Sequence, residues 1–231
     1  MSVRLRSLTV MRLKALLIAS LLALGVCAGV AFGAVRVYNN QFAGKGDAKE
    51  LDLSGKGCKA EVRGKKGQLG VTTAEGGSRC RLRLPVIGDS SQPDHIVDVE
   101  TKLLPKTPEK IRKMVYVAAT VREGGGGYYE LRVYPERRKY SLVRKPGDAA
   151  FPVTGKDREI GKAGDKNKLT LRALGDAVSG KVNKFAIADV ADPQPGALPG
   201  TKISIVLGQE GGSKDGASVW FKDLRVSVPN P

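Results

Sequence analysis

Residues 167–190 read NKLTLRALGDAVSGKVNKFAIADV, and the alternation in this stretch sets the architecture of the chain around it. Leu169, Leu171 and Ala173 alternate with Lys168, Thr170 and Arg172, the two-residue period of a strand with one buried face. Gly175-Asp176 supplies turn residues, and Val178, Gly180 and Val182 run back to Asn183. The stretch is a hairpin feeding a further strand, FAIADV, that closes on Asp189.

The same grammar extends in both directions. Upstream, CRLRLPV sets Cys80, Leu82 and Leu84 against Arg81 and Arg83, so one face is apolar and the other cationic. In HIVDVETKLL, Val97, Val99 and Leu103 share a face opposite Asp98, Glu100 and Lys102. RKMVYVAATVR is apolar nearly throughout, as expected of a central strand covered on both faces. AEVRGKKGQLGVTT, residues 60–73, reads as a hairpin, whereas KGDAKELDLSGKG before it has no period and reads as a polar loop.

REGGGGYYELRVYPERRKYSLVRK reads as two more strands, with the glycines from Gly124 to Gly127 at a hairpin tip. No helix follows them to supply amide donors, so they are not read as a phosphate loop. Downstream come KISIVLGQ and ASVWFKDLRVSV. In the latter, Val219 and Phe221 have one parity and Leu224, Val226 and Val228 the other, which requires a bulge near Lys222-Asp223. Short alternating segments between Gly, Pro, Asp and Lys, with no long helical period, make the exported chain all-β.

The N-terminus is different. Residues 15–35 carry no charge, a run of the roughly 20 apolar residues that cross about 30 Å of hydrocarbon. Arg4, Arg6, Arg12 and Lys14 precede it, which places the N-terminus in the cytoplasm. The expected organisation is a basic cytoplasmic segment (1–14), a transmembrane signal anchor (15–35) and an extracytoplasmic domain (36–231). The chain is thereby assigned to the cell membrane as a single-pass protein. A cleaved signal peptide is the alternative, since Ala31 and Gly33 offer small residues.

Cys27 lies within the apolar run, leaving Cys58 and Cys80 as the pair in the exported part. In an oxidising compartment they can form a disulfide, two unpaired thiols being the alternative. The 231-residue chain carries +16 from 39 Lys and Arg against 23 Asp and Glu, and +12 once the four N-terminal cations are set aside. Outside a cell such a field attracts anionic wall polymers, acidic glycans or lipid headgroups, and the topology argues against nucleic acid. Solvated strand faces that add only solubility are the alternative.

From Tyr128 to Val228 the chain resembles the concanavalin A-like lectin and glucanase superfamily, within it the 3-keto-disaccharide hydrolase-like (LamG-like) domains. The resemblance is carried by YYELRVYPERRKYSLVR, by Asn167 opening NKLTLRALGD, by Asn183 ending VSGKVN, by the aspartate of FAIADV, and by VWFKDLRVSVP; VYNNQF and DHIVDVETKL look like earlier family strands. It implies a jelly roll of two antiparallel sheets, one of which binds sugars in many members. Lys184 follows Asn183 where a glycine is usual, so the turn there departs from the pattern.

For catalysis, Asp98 and Glu100 stand on alternate positions of one strand, as the carboxylates of retaining glycosidases do. The laminarinase-like branch needs a third acid two residues earlier, and that position is Ile96. The lone His95, after Pro93-Asp94, reads as a loop or first strand residue rather than a general base. No cofactor is expected, although a structural calcium could draw ligands from Asp189 or Asp192.

The expected ligand face is Tyr128, Arg132 and Tyr134, with Arg137, Arg138 and Tyr140 close by, because aromatic rings stack on sugars and guanidinium groups chelate anions. Core or cross-strand packing is the competing reading for these tyrosines, and Trp220 is expected in the core. The resulting expectation is a membrane-anchored, non-enzymatic module for cell-wall polymer or acidic glycan. A glycan-processing hydrolase of the 3-keto-disaccharide type and a structural ectodomain for a protein partner are the alternatives.

Overall fold

The computed structural model describes residues 34–44, 46–85, 93–146, 153–192 and 198–229, the side chains of residues 188 and 189 excepted. The expected anchor lies outside the described residues except for its last two. Ala34 and Val35 belong to the first strand, β1 (Ala34–Asn40). Among the described residues no helix is long and apolar enough to cross a membrane.

Two antiparallel sheets form the sandwich. One runs β13 (Phe185–Ala191), β12 (Ala177–Val182), β11 (Asn167–Leu174), β6 (His95–Leu103), β15 (Ser218–Pro229), β4 (Gln68–Thr72) and β3 (Lys59–Arg63), with β1 also pairing β15. The other runs β10 (Val153–Lys156), β9 (Lys139–Lys145), β8 (Gly127–Tyr134), β7 (Val115–Gly124), β14 (Lys202–Gln209), β5 (Arg79–Arg83) and β2 (Asp52–Ser54). Between β6 and β7 sits a single helical turn, α1 (Glu109–Arg112).

The hairpin of β11 and β12 closes as expected, with Leu174 opposite Ala177 across Gly175-Asp176. Its inward residues Leu169, Leu171 and Ala173 pack on those of β6 and face β7 and β8 across one core. The layers approach closely at Gly180, where an added Cβ would meet Leu131 at 3.1 Å. RKMVYVAATVR becomes β7, buried on both faces between β8 and β14.

The expected bulge lies in β15: the register against β6 shifts between Lys222 and Arg225, and Asp223 takes φ 50°. This extra residue returns Leu224 and Val226 to the core. Asn183 also adopts a left-handed φ of 54°, in the turn where Lys184 replaces the usual glycine. Its carboxamide accepts from Lys168 N and donates to Glu159 O and Asn167 Oδ1, so the two asparagines that carry the resemblance clamp the approach to β11.

Two strands were not visible in the alternation. β2 lies inside the expected polar loop, and β10 follows β9; both are edge strands. At three and four residues each is too short to show a period. Cys58 and Cys80 are disulfide-bonded, with Cα atoms 5.5 Å apart. Since Cys58 leads into β3 and Cys80 lies in β5, the bond ties one sheet to the other.

Candidate functional site

The outer face of the seven-stranded sheet has an unusual cross-section. Its two middle strands contribute small side chains there: Ala118 and Thr120 from β7, and Ser204, Val206 and Gly208 from β14. Long side chains rise from the strands on either side, Tyr128, Glu130, Arg132 and Tyr134 on β8 and Arg79, Arg81 and Arg83 on β5. They lean over the small floor and meet above it, leaving Ala118, Thr120, Ser204 and Val206 fully covered although they face away from the core.

Two carboxylates hold this canopy together. Glu130, fully buried, accepts from both Arg79 nitrogens of the fork, from Arg132 Nε at 2.5 Å and from Thr120 Oγ1 at 3.0 Å. Glu123 accepts from Arg81 at 2.8 Å, Arg83 at 2.7 Å and Ser204 Oγ at 2.6 Å. Burial by itself would raise the Glu123 carboxyl, but the Ser204 hydroxyl and the two guanidinium groups outweigh it and hold it below its ordinary value. Burial alone would likewise lower Arg132, and Glu130 outweighs that, so its guanidinium stays charged at any working pH.

Aromatic rings fill the gaps. Arg79 and Arg81 lie 5.2 and 5.6 Å from the Tyr128 ring centre, Arg132 lies 5.1 Å from that of Tyr116, and Tyr116 and Tyr134 pack at 5.5 Å. Burial, then the hydrogen bond from Tyr134 to Glu210, pushes the Tyr134 hydroxyl well up. Both phenols therefore remain neutral donors and stacking faces.

Four of the six expected ligand residues come together here: Tyr128, Arg132, Tyr134 and Arg137, the last over the Tyr134 ring at 5.6 Å, while Arg138 is exposed in the turn between β8 and β9. Tyr140 does not join them. It shares parity with Leu142 in β9, turns inward and packs against Phe185 at 5.3 Å. Arg79, Arg81, Arg83, Glu123 and Glu130 were absent from the expected set. The cationic parity of CRLRLPV was the sequence signal for Arg81 and Arg83; that this strand lies across the sheet from β8 was not legible.

Trp220 corrects a second expectation, because it faces outward from β15 and is only half-buried. Its neighbours Val219 and Phe221 occupy the core, so period-two parity already excludes it from there. Asp98 and Glu100 also face outward from β6. Asp98 accepts from Thr170 at 2.6 Å and lies 3.8 Å from Lys168, and Glu100 pairs Lys166 at 3.0 Å, the pattern of a solvated strand face.

His95 is the first residue of β6, buried, with Nδ1 3.1 Å from Pro93 O. Asp192 is buried against Arg144 and the Tyr129 hydroxyl. Among the described residues no three His, Cys, Asp or Glu side chains gather as a metal site.

The sequence matches no protein-family model, and no curated protein is significantly similar to it. Solved structures do share its shape. A Bacillus subtilis protein with a galectin-like fold superposes with a TM-score of 0.63 at 14% identity, covering 85% of this chain and 98% of that one. The laminarinase catalytic domain of Thermotoga maritima superposes with 0.60 at 12%, covering 86% and 99%. A carbohydrate-binding module from Bacillus subtilis gives 0.52 at 12%, covering 76% and 93%. At these identities the likeness establishes the fold, a two-sheet jelly roll of the galectin and laminarinase kind.

Proposed function

We propose that the chain is a membrane-anchored, extracytoplasmic module that binds a cell-wall polymer or acidic glycan on the outer face of the seven-stranded sheet and does not turn it over. The observation that carries this reading is the canopy over the small-residue floor. Its arginines are locked by two buried glutamates and lie against the tyrosine rings, so donors and ring faces are already oriented when a sugar arrives. Jelly rolls described as a carbohydrate-binding module and as laminarinases support glycan as the ligand class. The uncharged run at residues 15–35, led by four cations, supports the anchor.

Pull-down on isolated wall fractions and oligosaccharide arrays tests this. Retention by the full chain is expected, falling about tenfold in Tyr128→Ala and in Arg132→Ala, as removal of a stacking face or a charged donor implies. Absence of binding, or binding that both variants keep, overturns the reading.

A 3-keto-disaccharide hydrolase-type activity is the second reading, favoured by the presence of two carboxylates, Glu123 and Glu130, on one face. Each is tied up by two arginines, which argues for a scaffold rather than an acid/base pair. Turnover of a glycoside or 3-keto-glycoside by the full chain, abolished in Glu130→Gln under conditions where that variant is still folded by circular dichroism, would establish it.

A further inference from the structure

The opposite face of the sandwich carries a second feature. Across the eight-stranded sheet, Glu61, Gly70, Trp220 and Lys102 lie in one register row. Gly70 has no side chain to fill its place in that row, and a hollow of about 430 Å³ opens there with Trp220 as one wall. The backbone does not require this glycine, since Gly70 is absent from the positive-φ positions and an added Cβ would find nothing nearer than 3.5 Å. A glycine inside a strand weakens it, and here what it leaves is space beside an indole.

Charge surrounds that space. Arg63, Lys66 and Lys102 lie 5.8, 5.9 and 5.8 Å from the Trp220 ring centre. Of these, Arg63 lines the hollow, together with Lys59 and Lys106, and Glu61 is its one acidic lining residue, whereas Lys102 flanks Trp220 on the side away from Gly70. None of these five cations has an ion-pair partner among the described residues. The arginines of the other face, by contrast, are already neutralised by Glu123 and Glu130. Free cations beside an aromatic wall attract an anion that has a flat apolar face.

We propose that the hollow beside Trp220 is a separate saccharide site for an anionic sugar residue, its ring against the indole and its carboxylate, sulfate or phosphate among Lys59, Arg63 and Lys106. A volume of this order lies in the range of small-ligand sites. The recessed indole favours a saccharide over a bilayer surface, because a tryptophan that enters lipid has to stand clear of its neighbours, whereas Trp220 lies half-buried along the sheet. The site is independent of the canopy on the other face.

Trp220 is the chain's one tryptophan, so its fluorescence reports this site alone. The full chain is titrated with uronate, sulfated and phosphorylated oligosaccharides and with their neutral parents. At least one anionic form is expected to shift the emission and to bind about tenfold or more tighter than its parent, with the advantage shrinking as salt rises. Gly70→Leu fills the hollow and leaves every cation in place, and it should abolish the response. Arg63→Gln and Lys106→Gln should each weaken binding severalfold, Glu61→Gln should tighten it, and Tyr128→Ala should leave it unchanged. Equal affinity for neutral sugars, a response that survives Gly70→Leu, or a response to anionic lipid vesicles alone overturns the proposal. Loss of wall binding in Tyr128→Ala with this response intact would separate the two sites.

Discussion

Replacing Glu130 by Gln would leave Arg79 and Arg132 facing each other above Thr120 with no carboxylate between them. Removing one partner from a buried ion pair typically costs about 3 kcal/mol or more, far above the median for a surface pair. Glu130→Gln should therefore lower the denaturant midpoint by an amount equivalent to about 3 kcal/mol, whereas Glu75→Gln, whose partner Lys56 is exposed, should change it little. His95 gives a pH-dependent counterpart. Burial holds its imidazole below the ordinary value, against the smaller opposing effects of the Pro93 carbonyl and Asp94.

Between the ordinary histidine value of about 6.5 and the lower folded value, the unfolded chain binds a proton that the folded chain does not. The contribution of His95 is thus fully present above about pH 6.5 and is lost as pH falls toward the folded value. Urea midpoints measured at pH 7.5 and 5.5 should show a drop in the parent chain that is smaller in His95→Gln. A residue's parity was legible at this scale and its partner was not. Arg81 was visible as an outward arginine, while Glu123 lies 42 positions further along the chain and nothing local connects them.

At the scale of the element, β15 shows what alternation can and cannot reveal. The clash of parities between Phe221 and Leu224 demanded an extra residue, and the structure places it at Asp223 with a left-handed φ of 50°. A β-branched residue there pays about 1 to 2 kcal/mol that Gly does not. Asp223→Val should destabilise by about that much and Asp223→Gly should not, as thermal unfolding would measure. The same parity argument settles Trp220, whose outward position follows from Val219 and Phe221 on either side. β2 and β10 escaped because three or four residues hold at most two inward side chains, too few to establish a period. Their status as strands comes from pairing with β5 and β9.

For the whole molecule, the Cys58–Cys80 bond joins the two layers near the start of the domain. By the entropic account, closing a loop of roughly 20 residues contributes about 3 kcal/mol. The proposed anchor implies that the full chain sediments with membranes and resists extraction by salt and alkaline carbonate, while a chain lacking residues 1–33 is found in the soluble fraction. A full chain released by carbonate would contradict an integral span.

The amino-acid sequence by itself determined the all-β class, the inward and outward side of most strands, the bulge in β15 and the cysteine pair, because each follows from chemistry within about ten residues or from the scarcity of alternatives. Only the tertiary structure decided which outward faces meet. Sheet order sets β5 and β8 either side of two small-residue strands, so their arginines and glutamates close over a common floor, and it sets Gly70 beside Trp220 to leave a hollow. Those juxtapositions join residues dozens to more than a hundred positions apart, and a two-residue period carries no information about which strand will be the neighbour.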